Sequence, residues 1–190
     1  MPERRDLPLF AWSDQLRLRR LNRRRLRRRA AALALGGAAL CLTIAWPPVP
    51  RLVWNVTASA PIGLYHVAPG VAVKTGDMVV AWLPAPAADL AAKRAYLPAG
   101  VPAVKRVAAA SGSRICAIGD IILLDGATVA NRQSNDKAGR PLPRWRGCHT
   151  LEYDELFLLT PGSSGSFDGR YFGVSRTSDI VGKARLLWAR

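Results

Sequence analysis

Three stretches of the chain carry side chains whose types and spacing suit acyl-transfer chemistry. The first is Asn55-Val56-Thr57-Ala58-Ser59-Ala60-Pro61-Ile62-Gly63-Leu64-Tyr65. Pro61 fixes its own φ and pushes Ala60 toward an extended conformation, while Gly63 admits close approach of another backbone. A serine in so stiff a bend presents its hydroxyl in few directions. Ser-x-Pro is also ordinary turn chemistry, so Ser59 counts as a nucleophile only if a base exists elsewhere. The second stretch, Val101 to Ala110, supplies a candidate: Lys105 and Arg106 interrupt an otherwise apolar, strand-like run. Period-two alternation puts them on opposite faces, so one points inward. Burial disfavours an ammonium and lowers a lysine pKa, and a neutral amine is a competent general base for a serine. The alternative is an edge-strand lysine in solvent. The third stretch, Gly162 to Gly173, sets Ser166 and Asp168 on one face of an extended segment, where a hydroxyl and a carboxylate can orient an amine. Read without chemistry, Ser166 to Arg170 is a loop with a local ion pair.

Other constellations are weaker. Ser134-Asn135-Asp136-Lys137 spells S-x-x-K, but that motif needs a helical turn and here sits in a Gln/Asn/Gly/Pro-rich loop. His66 continues a strand and His149 follows Cys148, so neither reads as the base of a Ser–His–Asp triad. Two histidines and no CxxC spacing argue against a metal site, and no cofactor is called for. Cys41 falls in an apolar segment and reads as a small buried hydrophobe. Cys116 and Cys148 remain as a pair, a disulfide if their domain lies in an oxidising compartment.

The elements around these stretches divide the 190 residues into a tail, an apolar span and one domain of ordinary size. Eleven arginines against three acids in residues 1–29 supply +8 of the net +15, so the high overall charge is mostly that of a tail. A nucleic-acid arm is one reading of this partly helical tail. A positive-inside anchor touching anionic lipid is the other, and the next segment favours it. Ala30 to Trp46 runs 17 residues without a charge, about 25 Å of helix against a hydrocarbon core of ~30 Å. Arg28 and Arg29 can snorkel at one end, Trp46 can anchor the other, and Pro47, Pro48 and Pro50 stop the helix. A cleaved secretory signal is the competing reading, disfavoured because prolines follow directly and no clean Ala-x-Ala site lies close behind.

Residues 47–190 are mainly β. Strands are expected at Gly63–Val67, Asp77–Leu83, Pro102–Ala109, Ile121–Leu124, Ala127–Asn131, Glu155–Thr160, Tyr171–Ser175 and Ile180–Trp188. Asp125-Gly126 marks a two-residue hairpin turn. Pro86–Leu97 is the one soluble helix expected, and residues 132–147 form a polar loop within a flap spanning about residues 111–150.

Together, and in this order, Ser59 with its S-x-P-x-G-L-Y phrase, Lys105-Arg106-Val107-Ala108-Ala109 and Ser166-Phe167-Asp168-Gly169-Arg170-Tyr171-Phe172-Gly173 resemble the type I signal peptidase superfamily. The likeness is to its conjugative-transfer, TraF-type branch, of which Gly139-Arg140-Pro141-Leu142-Pro143-Arg144-Trp145 before a cysteine is also typical. It covers roughly residues 30–188. The resemblance implies a signal-peptidase-like β-rich catalytic domain behind a single transmembrane helix. It implies Ser59 as nucleophile, Lys105 as general base, Thr57 with the Ser59 N–H as oxyanion donors, and Ser166 orienting Lys105. Asp168 and Arg170 would stiffen the site. Gly162-Ser163-Ser164 stands where many signal peptidases have Gly-Asp-Asn, and Gly169 replaces a common serine.

The partners so implied are a precursor protein, pilin or another exported chain cleaved after small residues, and the lipid bilayer; no specific nucleic acid is expected. The expected setting is the bacterial inner membrane, with residues 1–29 cytoplasmic, 30–46 spanning and 47–190 periplasmic. Hydrolysis and head-to-tail closure of the acyl-enzyme are both compatible with these residues. A general leader peptidase and a non-catalytic assembly component of a secretion apparatus are the alternatives.

Overall fold

The computed structural model describes residues 8–45, 49–57 and 59–190. The first seven residues, Trp46 with its expected interface role, the Pro47–Pro48 helix stop and Ala58 lie outside the described residues. The chain divides into two units, residues 1–48 and 49–190.

The first unit is one helix, α1 (Pro8–Ala45). Within it, Leu16–Ala45 is long and apolar enough to cross a membrane, and none of the apolar window is buried against protein. Such a helix fits a single-pass anchor. The arginine-rich tail and the span are continuous in this helix, the described part of the tail being helical from Pro8 onward. Arginine is a good helix former and no glycine or proline intervenes before Gly36. Cys41, expected to be buried, is exposed on this helix.

The second unit is built on two antiparallel sheets. Its strands are β1 (Leu52–Asn55), β2 (Gly63–Ala68), β3 (Met78–Ala81), β4 (Ala103–Ala109), β5 (Arg114–Ile118), β6 (Ile121–Leu124), β7 (Ala127–Asn131), β8 (Gly147–Thr150), β9 (Glu155–Leu159), β10 (Ser175–Arg176) and β11 (Ile180–Ala189). The larger sheet has the order β1-β2-β11-β3-β4-β9-β10, and the smaller the order β7-β6-β5-β8. The mainly β expectation holds, with β1, β5 and β8 added to the strands read from sequence.

Alternation explains the packing. Tyr65 and Val67 of β2, Val80 of β3 and Val104 of β4 bury one face of the large sheet. Val79, Val107, Leu156 and Leu158 bury the other. Phe157 and Leu159 of β9 pack with Ile115, Ala117 and Ile122 of the small sheet, fusing the two sheets through one apolar cluster. Gly63 (φ +154°) lies against the Trp188 carbonyl, with no room for a Cβ. Asp125 and Gly126 both have positive φ (48° and 85°), the primed turn expected between β6 and β7.

Two elements differ from expectation. The soluble helix, α2, spans Ala85–Lys93 rather than Pro86–Leu97. It stops because Ala95 takes a left-handed conformation (φ 56°), which turns the Ala95 and Tyr96 N–H groups onto the Ala92 and Ala91 carbonyls. Tyr171–Ser175 is not a strand: Gly169–Phe172 forms a one-turn helix, α3, and only Ser175–Arg176 joins the sheet. Asp168 caps that turn by accepting from the Arg170 N–H.

Cys116 and Cys148 form a disulfide, with Cα atoms 4.0 Å apart. They are direct neighbours across β5 and β8. The bond therefore joins β5 to β8 within the small sheet, inside the stretch of about residues 111–150 read from sequence as a flap.

Candidate active site

The bend after β1 is held by a residue to which the sequence reading gave no role. Asn55, the last residue of β1, is 5% exposed. Its Nδ2 donates to the carbonyls of Thr57, Ala60 and Pro61 at 2.9, 3.1 and 3.1 Å. Its Oδ1 accepts from the Thr57 N–H (3.1 Å) and the Thr57 hydroxyl (2.8 Å). The Tyr65 hydroxyl adds a hydrogen bond to the Pro61 carbonyl at 2.8 Å. One amide side chain thus pins both ends of the segment that carries Ser59.

Ser59 Oγ lies 2.9 Å from Thr57 Oγ1. A threonine hydroxyl has one proton, and Thr57 gives its proton to Asn55, so Ser59 is the donor of this pair. In this arrangement Thr57 accepts; to serve as an oxyanion donor its hydroxyl has to turn away from Asn55.

β4 answers the question of which basic residue faces inward. Lys105 is 3% exposed, whereas Arg106 lies outside and donates to the Gly76 carbonyl. Lys105 Nζ donates to Ser166 Oγ at 2.9 Å. Burial lowers its pKa from 10.5 to about 8; the Asp168 carboxylate opposes this shift and the Arg170 guanidinium reinforces it. At pH 7 about one Lys105 in ten is then a free amine, against fewer than about one in a thousand for an unperturbed lysine.

Ser166 is itself buried, just ahead of the α3 turn. Asp168 and Arg170 act on the lysine by charge, without a hydrogen bond or ion pair to it. They form a buried ion pair, Arg170 Nε to Asp168 Oδ1 at 2.8 Å and Nη2 to Oδ2 at 3.1 Å. Asp168 also accepts from the Thr160 N–H, and Arg170 donates to the Thr160 carbonyl. The pair locks the third stretch onto the end of β9. Asp168 is still extended (φ −148°, ψ −165°) and the helical turn begins only at Gly169, yet of Ser166 and Asp168 only the serine hydrogen-bonds Lys105. Gly169 is required there, because a Cβ would sit 2.7 Å from both the Leu158 carbonyl and the Phe157 ring.

Thr57, Ser59, Lys105 and Ser166 open onto one cleft of about 750 Å³. Leu83, Ala91 and Ala103 give it small apolar walls, and the 132–142 loop closes one side. That loop is held by Asp136, which accepts from the Tyr96 hydroxyl and from Arg140 Nε (2.7 Å), and lies 3.6 Å from Arg94. The remaining candidates fall elsewhere. Ser134 accepts from Arg144 in an irregular segment, so no helical S-x-x-K pair exists. His66 is exposed on β2, and His149 pairs with Glu155 at 2.6 Å.

Two antiparallel sheets thus bring a serine and a buried lysine to one cleft, in a chain that also carries an apolar N-terminal helix. A family model described as signal peptidase, peptidase S26, matches residues 25–189. The chain belongs to that family. It is 34% identical over 165 residues to the plasmid transfer protein TraF of Escherichia coli, a match covering 82% of this chain and 92% of the relative. It is also 33% identical over 178 residues to a probable conjugal transfer protein TraF of Sinorhizobium fredii, covering 84% and 90%. Among solved structures, a signal peptidase I of Enterococcus faecalis matches at 16% identity with a TM-score of 0.34, covering 60% of this chain and 97% of the other.

Proposed function

We propose that the protein is a membrane-anchored serine endopeptidase in which Ser59 attacks and Lys105 is the general base, and that it matures exported precursors for conjugal transfer, pilin or a related component. The observation that carries the reading is a lysine amine buried at the end of a Ser166 hydrogen bond, in the same cleft as a serine pinned in a stiff bend. What supports the biological setting is the membership of the signal peptidase family and the conjugal-transfer names of the relatives.

In this mechanism neutral Lys105 takes the Ser59 proton once Ser59 leaves its hydrogen bond to Thr57. The Ser59 oxygen attacks the precursor carbonyl, forming the C–O bond and an oxyanion. The Ser59 N–H and the Thr57 hydroxyl, released from Asn55, hold that oxyanion; losing one such donor costs roughly 2.7–4 kcal/mol of barrier. Protonated Lys105 then gives its proton to the departing amine as the peptide bond breaks. Ser–Lys pairs follow the same logic as the histidine triads. Lys105 next activates water, or an amine of the substrate, to release the acyl group. Ser166 fixes the amine through both proton transfers, while Asp168 and Arg170 fix Ser166.

The proposed topology is a single pass through the inner membrane with the arginine-rich end in the cytoplasm and residues 49–190 in the periplasm. The arginines crowding the N-terminal side of the span, against Arg51 alone close behind its other end, support it, as does the disulfide. A general leader-peptidase role is the second reading, supported by the family description itself. Processing of a precursor in membranes carrying the native chain, Ser59→Ala or Lys105→Ala tests the proposal. Both variants should leave the precursor intact, and undiminished cleavage by Lys105→Ala removes the dyad.

A further inference from the structure

The charged side chains of the cleft are unevenly matched. Besides Lys105, the ionisable groups along its wall include Asp136, Lys137 and Arg140, all on the 132–142 loop. Asp136 is the one carboxylate among the described lining residues, and it is fully engaged. Its oxygens accept from the Tyr96 hydroxyl, the Arg140 side chain, and the Ala138 and Arg140 N–H groups. With Arg94 also beside it, this single anion faces two guanidinium groups.

Lys137 is the next residue, and it has no such partner. Among the described residues no carboxylate lies within ion-pair distance of its ammonium, and Lys137 is an exposed residue of the cleft lining. Its backbone is nevertheless fixed. The Asp136 side chain spans the turn, the Gly139 N–H bonds back to the Asp136 carbonyl at 2.9 Å, and Gly139 adopts a φ of +75°. Gly162 to Gly165, which also line the cleft, contribute hydroxyls and no charge. The cleft therefore presents a cation on an ordered turn, with the one carboxylate among the described lining residues already engaged.

Building on the peptidase reading, we infer that Lys137 is a specificity-determining residue that recognises a carboxylate on the precursor segment occupying the cleft. The carboxylate belongs to an acidic side chain near the scissile bond or to the precursor's own C-terminus. The turn fixes the point from which the side chain springs, and an exposed pair of this kind contributes modestly and weakens with salt.

The test separates recognition from turnover. Fluorescein-labelled peptides with alanines before the scissile bond carry Glu, Gln or Lys at each of four positions on either side of it, with amidated ends. A further pair differs only in a free or amidated C-terminus. Binding is read by anisotropy on the full-length Ser59→Ala chain in detergent micelles. At one register the Glu peptide should bind about 3- to 5-fold tighter than the Gln peptide, as for a partly exposed ion pair. The preference should shrink as salt rises. It should collapse toward unity in Lys137→Ala, survive in Lys137→Arg, and pass to the Lys peptide in Lys137→Glu. A preference confined to the free C-terminus assigns the same site to a chain end. Equal binding of Glu and Gln peptides at every position, with equal binding of free and amidated ends, overturns the inference. So does a preference that persists in Lys137→Ala. Cleavage by the native chain is scored separately: its absence counts against the Ser59–Lys105 reading and leaves the binding ratios to decide the role of Lys137.

Discussion

Replacing Lys105 by methionine should make the protein more stable and inactive. The native fold holds an ammonium at 3% exposure, which displaces its pKa from 10.5 to about 8. Below pH 8 both folded and unfolded chains are protonated, and the shift corresponds to a standing cost of about 3 kcal/mol. Between pH 8 and 10.5 the unfolded chain holds the extra proton, so native stability climbs with pH across that interval. Methionine has similar length and no charge to bury. It abandons the Ser166 hydroxyl, which returns about 1 kcal/mol of the gain. The variant should therefore exceed the native chain by about 2 kcal/mol at pH 7, or about 5 °C in Tm for a domain of this size. The advantage should vanish by about pH 10, where most of the native penalty has gone. Tryptophan-monitored unfolding of the full chain in detergent, at pH 7 and pH 10, reads both values. A Lys105→Met protein less stable than native at pH 7, or a difference that does not change with pH, would refute the idea that Lys105 is a desolvated base.

Other expectations follow from the supports of the site. Asn55→Ala strands three carbonyls and the Thr57 N–H; it should cost roughly 2–4 kcal/mol in denaturant titration and lower precursor cleavage more than tenfold. Asp168→Asn leaves the buried Arg170 charge unpaired, for a loss of about 3–5 kcal/mol on the same assay. Reduction of the Cys116–Cys148 bond, 32 residues apart in sequence, should lower the unfolding free energy by about 3–4 kcal/mol on a chain-entropy estimate. Thiol titration of the unreduced, denatured chain should find Cys41 alone.

The legible parts of the chain were those written in local patterns. Asp125-Gly126 between two β-branched runs specified its hairpin, because only certain residues accept two successive positive φ values. Alternation placed Lys105 and Arg106 on opposite faces but could not say which face was inside; that depended on β3 and β9 flanking β4. The end of α2 was misread because Ala95, a strong helix former, takes a left-handed conformation. Tyr171–Ser175 has strand-like composition, and the Asp168 cap with the buried Arg170 pair overrode it. Asn55 was illegible for a different reason. Its partners are backbone carbonyls up to six residues ahead, and they converge only after the bend has formed. Tyr96 and Asp136, 40 residues apart, share no local signal at all.

The central claim is that Lys105 is the base, and the pH dependence of kcat/KM for precursor cleavage addresses it most directly. The native enzyme should show a rising limb with an apparent pKa near 8, the value that burial imposes on this amine. Lys105→Ala should show no measurable cleavage at any pH. A native profile flat from about pH 6 to 9, or a limb near 8 that persists in Lys105→Ala, would contradict the account.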